Sequence, residues 1–236
     1  MNDELNIACD YQQTAEWFDA RLGFLTASRI ADALAKRKKG DGELETRYRY
    51  KLELAVERIT GKPTEHYVSK AMETGIEREP LARAAYELRT ELNVVQTGFV
   101  FHPSIEWSGC SPDGLIGKTG LVEFKCPSRH THAEYLLGEL VPLEYIPQMM
   151  WQMACCNRQW NVFVSYCPDF PEPLDLFVVR VDRDEKLISE MEAEAQKFLA
   201  EVDALTIRLK NGLEGALEHE IRRSKGQLAV DAKESA

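Results

Sequence analysis

The 236-residue sequence predicts an α/β fold, with a central mixed β-sheet flanked by α-helices. Three observations predict it. Leu121 to Cys126 alternates apolar and polar residues, which is the period of a strand. Residues 43–60 place Leu44, Tyr48, Leu52, Ala55, Val56 and Ile59 at helical spacing, and residues 183–210 do the same with Leu187, Met191, Ala195, Phe198 and Val202. No Pro/Gly/Ser-rich linker or internal repeat divides the chain, so one domain is expected, with a core over about 14–210 and a polar, frayed tail over about 211–236.

Taken in order, residues 14–20 read as a short helix with Thr14 as N-cap. A second helix is expected from Thr26-Ala27-Ser28 to about Lys36. Lys36-Arg37-Lys38-Lys39 is the one dense basic run, and Gly40-Asp41-Gly42 puts it on a loop suited to grip backbone phosphate. The helix over 43–60 ends at Gly61-Lys62-Pro63. His66, without a second ligand beside it, reads as structural. Another helix spans 69–90, and Pro80 marks its first turn or a kink. Strands follow at 94–102, 107–110 and 120–126, arranged as a meander. Helices over 131–139 and 143–157, strands at 161–166 and 174–181, and the long helix from 183 complete the chain.

The chemistry concentrates in Cys110 to Ser128, CSPDGLIGKTGLVEFKCPS. Asp113 sits between proline and glycine, hence in a turn. Glu123 and Lys125 are two apart on a strand and share a face. Gly117 and Gly120 allow a hairpin that brings Asp113 to the same patch. Two carboxylates suit Mg²⁺, a hard cation that lowers the pKa of bound water and offsets phosphate charge. A lysine beside them can orient or deprotonate that water. Phosphodiester hydrolysis is the chemistry this pattern fits.

The totals exclude other classes. No apolar run is long enough to span a bilayer, and MNDELNIACD lacks a signal-peptide core. Six cysteines without a CxxC pair speak against zinc and for a reduced, cytoplasmic protein. The net charge of −10 opposes wide nucleic-acid contact. Positive potential is then needed only where the substrate lies, and Mg²⁺ supplies part of it.

Pro112-Asp113 with Glu123-Phe124-Lys125 resembles the PD-(D/E)xK nuclease motif. The wider string SPDGL…GLVEFKCP, with W…RLGFLTAS near the N-terminus, is similar to the YqaJ-type viral recombinase (phage lambda exonuclease) family. The resemblance implies a restriction-endonuclease-like core and a 5′-to-3′ alkaline-type exonuclease on double-stranded DNA ends. Its product would be a 3′ single-stranded overhang for recombination. It implies two Mg²⁺ per site, with Mn²⁺ as a substitute, held by Glu79, Asp113, Glu123 and the Phe124 carbonyl. It assigns Arg21, Ser28 and Ser111 to the 5′ phosphate, Arg37 or Lys38 to the DNA backbone, and Met72 to a wedge that parts the strands. Glutamines on the helix over 143–157 would bind phosphate or water. One usual glutamine position is Met150 here, so Gln152 or Gln148 takes that part. A homotrimeric ring around DNA and a single-strand annealing protein as partner are also implied. Two rival readings stay open: a structure- or site-specific endonuclease on the same fold, and a non-catalytic DNA-end-binding module.

Overall fold

The computed structural model describes residues 5–36, 42–64 and 70–234, with side chains as far as residue 212 and that of residue 71 excepted. Arg37, Lys38 and His66 lie outside the described residues. The working sheet has five strands: β2 (Val94–Val95), β5 (Gly114–Ile116), β6 (Gly120–Lys125), β7 (Trp160–Tyr166) and β8 (Leu176–Asp182), in the spatial order β2-β5-β6-β7-β8. The β6–β7 pair is parallel and the rest are antiparallel, so the sheet is mixed. A smaller sheet joins β1 (Leu25–Thr26), β4 (Ser108–Cys110) and β3 (Val100–Phe101).

Strand β6 is the axis. Leu121, Val122, Glu123 and Phe124 are all buried, as expected of a strand covered on both faces. Val122 and Phe124 pack with Ala82 and Tyr86 of helix α4 (Lys70–Thr90) on one face. Leu121 packs on the other with Trp151 and Met153 of helix α6 (Ile146–Cys156). Met150 is a core residue at 4% exposure. Helix α3 (Glu45–Thr60) ends at Gly61 in the left-handed conformation, φ 62°, as the Gly-Lys-Pro signal predicts. Tyr50 of α3 stacks on Phe198 of helix α7 (Glu185–Glu234), and Arg47 and Lys51 of α3 donate to Glu201 of α7.

Four expectations are corrected. The single strand over 94–102 is broken: Val94–Val95 pairs with β5 and Val100–Phe101 with β4, so the meander does not form. Gly98 lies at the crossing, where a Cβ would stand 2.1 Å from the Cys9 carbonyl oxygen. The helix expected from Thr26 starts later. Leu25–Thr26 is drawn into a parallel pair with Ser108–Gly109, a 3₁₀ turn covers Ala27–Arg29, and helix α2 is only Ile30–Ala33. Pro80 stands in the interior of α4, not in its first turn. The tail over 211–236 continues as helix to Glu234, because Ala, Leu, Glu, Arg and Lys dominate it and no proline interrupts. Among the described residues no helix is long and apolar enough to cross a membrane, and all six cysteines are free.

Candidate active site

Residues 117–119 turn β5 into β6, with Gly117 at φ +54°. Gly114 pairs with Val122, which leaves Asp113 just beyond the end of β5, opposite the end of β6. Its Oδ2 accepts the Phe124 N–H at 2.7 Å. The turn is pinned from outside by Gln12, whose Nε2 donates to the Pro112 carbonyl at 2.8 Å. Glu123 and Lys125 do share a face, and the lysine Nζ donates to Glu123 Oε1.

Helix α6 supplies the clamp on Glu123. Gln148 and Gln152, four residues apart, present their amides to one side. Gln148 Nε2 donates to Glu123 Oε1 and Gln152 Nε2 to Oε2, each at 2.6 Å. Behind them, Asn161 of β7 donates to Gln152 Oε1 at 2.7 Å. That bond fixes which end of the Gln152 amide faces Glu123. Glu79 of α4 reaches the same patch and accepts from Arg83 Nη2 at 2.8 Å.

Three carboxylates from three elements thus face Lys125 and Arg83. Burial, reinforced by Glu123 and Glu79, pushes the Asp113 carboxyl well above its usual range. Burial and Glu123 also raise Glu79, although Arg83 pulls it back. Burial alone would lower the Lys125 ammonium, but Glu123, Asp113 and Glu79 outweigh it and raise it, so Lys125 stays cationic. The donor set is hard oxygen, and its negative charge exceeds what its own cations offset, which fits a divalent hard cation. Among the described residues, no three His, Cys, Asp or Glu side chains close around one point, since Glu123 is taken up by the two amides and Lys125.

The patch opens into a cleft of about 610 Å³. Arg21, Ser28 and Ser111 line the same cleft. The Arg21 guanidinium lies 4.0 Å over the Trp17 ring and donates to Ser111 Oγ at 3.2 Å. Trp17 Nε1 donates to the same Oγ at 2.8 Å. Burial depresses the Arg21 pKa, and the groups that raise it are Tyr50, Cys110 and Cys9, with no carboxylate among them. A half-buried cation that no carboxylate among the described residues pairs is a ready anion site. The loop after Arg21 is set by α3: Glu57 accepts the Gly23 N–H at 2.9 Å, and Arg58 Nε donates to the Gly23 carbonyl at 2.9 Å. Gly23 has φ +73°, and a Cβ there would meet Arg58 Cγ at 2.7 Å.

The structure therefore gathers Arg21, Ser28, Met72, Glu79 and Ser111 around the hairpin that carries Asp113, Glu123 and Lys125. Ser28 stands in the 3₁₀ turn, not at the start of an α-helix, with its Oγ 3.3 Å from Thr26 Oγ1. Met72 is 54% exposed at the cleft and is not a core methionine. Gln152 is fully buried and bonds to Glu123, so it reaches the site through that carboxylate and not by facing the cleft. Sequence reasoning missed Gln12, Asn161 and the place of Trp17. Only Trp17 left a signal, in its spacing of four from Arg21 on a helix.

A mixed sheet whose central hairpin carries paired acids and a lysine at the floor of an open cleft defines a nuclease. The sequence profile of the YqaJ-like viral recombinase domain matches residues 16–159, and the chain belongs to that family of nucleases. Among solved structures, the chain is similar to an alkaline exonuclease (LHK-Exo) from Laribacter hongkongensis. Identity is 44%, coverage is 85% of this chain and 98% of that one, and the TM-score is 0.79. The same figures hold for LHK-Exo in complex with dAMP. A phage-related exonuclease from Haemophilus somnus 129PT shares the fold, with a TM-score of 0.64 at 14% identity over 79% of this chain and 96% of that one. No curated protein sequence matches the chain.

Proposed function

We propose that the protein is a Mg²⁺-dependent exonuclease that degrades one strand of duplex DNA from its 5′ end. The 3′ single-stranded overhang it leaves would feed recombination by single-strand annealing. The observation that carries this reading is a single cleft lined both by Asp113, Glu123, Lys125 and Glu79 and by the Arg21 guanidinium, which no carboxylate among the described residues pairs. A cleaving centre with an anion site in the same cleft suits an enzyme that measures its cut from a terminal phosphate. The 44% identity to an alkaline exonuclease over nearly its whole length supports the same reading, and the dAMP complex of that relative supports a mononucleotide product.

Asp113, Glu123 and Glu79, with the Phe124 carbonyl, would hold the metal, which when bound lowers the pKa of water and offsets charge on the phosphate. Lys125, cationic and steered by Glu123, orients the attacking water and balances charge developing on the scissile phosphate. Gln148 and Gln152 keep Glu123 in one rotamer through that change. Arg21, Ser28 and Ser111 hold the 5′ phosphate of the terminal nucleotide, and Arg37 or Lys38 grips the backbone outside. Met72, exposed at the cleft, offers a soft apolar wedge against the base step. A single-domain enzyme in a homotrimeric ring, an annealing protein as partner and a cytoplasmic setting complete the proposal. A ring would hold the enzyme on its track despite the net charge of −10.

The test uses linear duplex DNA labelled at the 5′ end or internally, beside closed circular DNA, with Mg²⁺ or Mn²⁺. Stepwise loss from 5′-phosphorylated ends with circles untouched is the expected result. Nicked circles would establish an endonuclease. End binding without cleavage in either metal would establish a binding module.

A further inference from the structure

We infer that Trp17 is the positioning residue that makes Ser111, within the phosphate site, a donor only. It thereby sets the preference for a 5′-phosphorylated end over a 5′-hydroxyl end. The inference rests on the reading of Arg21 and Ser111 as the 5′-phosphate site. It starts from the bonding capacity of one hydroxyl. A serine Oγ has two lone pairs and a single proton. Ser111 accepts from Trp17 Nε1 at 2.8 Å and from Arg21 Nη1 at 3.2 Å. Both lone pairs are taken, so the hydroxyl has only its proton left to offer the cleft it lines. That proton has no acceptor among the described residues.

The indole is suited to this in two ways. Its N–H is a donor and never an acceptor, so it can engage Ser111 in one sense only. Its face carries the Arg21 guanidinium at 4.0 Å and so supports the cation without adding a carboxylate. A glutamate in its place would hold Arg21 as well, but would neutralise it and repel the ligand. Trp17 is itself fixed. It is 6% exposed, its backbone N–H is capped by Thr14 Oγ1 at 3.2 Å, and Phe18 meets its ring edge-on at 4.9 Å.

A terminal phosphate oxygen accepts and does not donate, so it matches Arg21 and Ser111 together. A 5′-hydroxyl cannot place its own proton on Ser111, and it brings no charge for Arg21. The mismatch leaves the half-buried Arg21 and Ser111 donors short of the partner a phosphate would supply. Without the indole N–H, one lone pair of Ser111 returns. The hydroxyl can then rotate and accept, and the polarity is lost.

The experiment compares kcat/KM on duplexes with 5′-phosphate and 5′-hydroxyl ends, for the whole protein with Mg²⁺. Trp17→Phe keeps a ring under Arg21 and removes the N–H. The expected result is a fall of about tenfold in the phosphate-to-hydroxyl ratio, the size of one hydrogen bond to a charged group. The fall should come through KM on phosphorylated ends, with kcat at saturating DNA nearly unchanged. Because Trp17 acts through Ser111, Trp17→Phe combined with Ser111→Ala should discriminate no worse than Ser111→Ala alone. Should Trp17→Phe fold poorly, benzothienylalanine at position 17 removes the N–H with the ring shape kept. Arg21→Gln separates the two layers. If Arg21→Gln abolishes the ratio while the Trp17 variants leave it intact, or add fully to Ser111→Ala, the inference is overturned and the phosphate site stands. If Arg21→Gln leaves the ratio intact, the phosphate reading itself is overturned, and the inference with it.

Discussion

The hairpin group and the Arg21 group that line the cleft are built on opposite principles. In the hairpin group, charge is in excess and every partner is spoken for. Glu123 is held by two amides and a lysine, and Asp113 by a backbone N–H. Around Arg21 the charge is single and half-buried, and no carboxylate among the described residues pairs with it. It is supported by an aromatic face and a hydroxyl. The first group needs rigidity, because a metal tolerates little displacement of its ligands. The second needs an unsatisfied cation, because a guanidinium already paired inside the protein would have to be released before binding.

That contrast can be broken from either side. Lys125→Ala should cost the most, roughly 100- to 10,000-fold in cleavage rate. Binding of a phosphorylated DNA end, followed by fluorescence anisotropy, should change only slightly, since Arg21 is untouched. Full retention of cleavage would sink the assigned site. Next comes Gln152→Leu, which removes the bond to Glu123 Oε2 and leaves the Asn161 Nδ2 donor without its acceptor. Activity at limiting Mg²⁺ should drop roughly 10- to 100-fold, and unfolding should become easier by about 1–3 kcal/mol. Restoration of the rate at high Mg²⁺ would identify lost metal affinity as the cause, whereas a Mg²⁺ requirement unchanged from wild type would argue against the clamp. Gln148→Leu should do the same more weakly, being only half-buried.

The least effect on cleavage at neutral pH is expected at His102, whose role is in the support beneath α6. Its ring lies 5.1 Å from that of Trp151, and its Nδ1 accepts from the Ser104 and Ile105 N–H groups. Burial, with Arg183 nearby, lowers its pKa from 6.5 to about 4. Between those values the unfolded chain binds a proton that the folded one does not, so stability is full above pH 6.5 and falls as pH drops toward 4. The loss is on the order of 1–3 kcal/mol, because the Glu192 carboxylate 3.3 Å from Nε2 would offset part of it. Urea unfolding at pH 7 and pH 4.5 should show that loss in the wild type and a smaller one in His102→Asn. An identical pH dependence in both would remove His102 from the account.

The hairpin group was largely legible in the sequence. Alternation over Leu121 to Cys126, the Pro-Asp-Gly turn and Gly117 specify a local structure, and local structure is what periodicity reports. Gln148 and Gln152 were likewise placed on one face by their spacing. What could not be read depends on contacts between distant segments. Ser28 falls in a 3₁₀ turn because Leu25–Thr26 pairs with a strand beginning at Ser108. The strand over 94–102 breaks because its two halves pair with different strands, Val94–Val95 with β5 and Val100–Phe101 with β4. Asn161 reads as an ordinary strand residue until the sheet brings it under Gln152. The Arg21 site was known only by resemblance, because its physical signature is a half-buried guanidinium that no acid among the described residues pairs. No residue pattern along the chain encodes an absence.

The stacking of Trp17 under Arg21 has an optical consequence. Indole emission responds to the charge and polarity at its face, and here a cation sits 4.0 Å away in the place where an anion would arrive. Of the other tryptophans, Trp151 is fully buried in the core, while Trp107 and Trp160 lie under Arg58 and Arg180, away from the cleft. Subtracting the emission of Trp17→Phe from that of the wild type would isolate one chromophore at the mouth of the phosphate site. Engagement of a DNA end could then be timed in stopped flow with no label on either molecule.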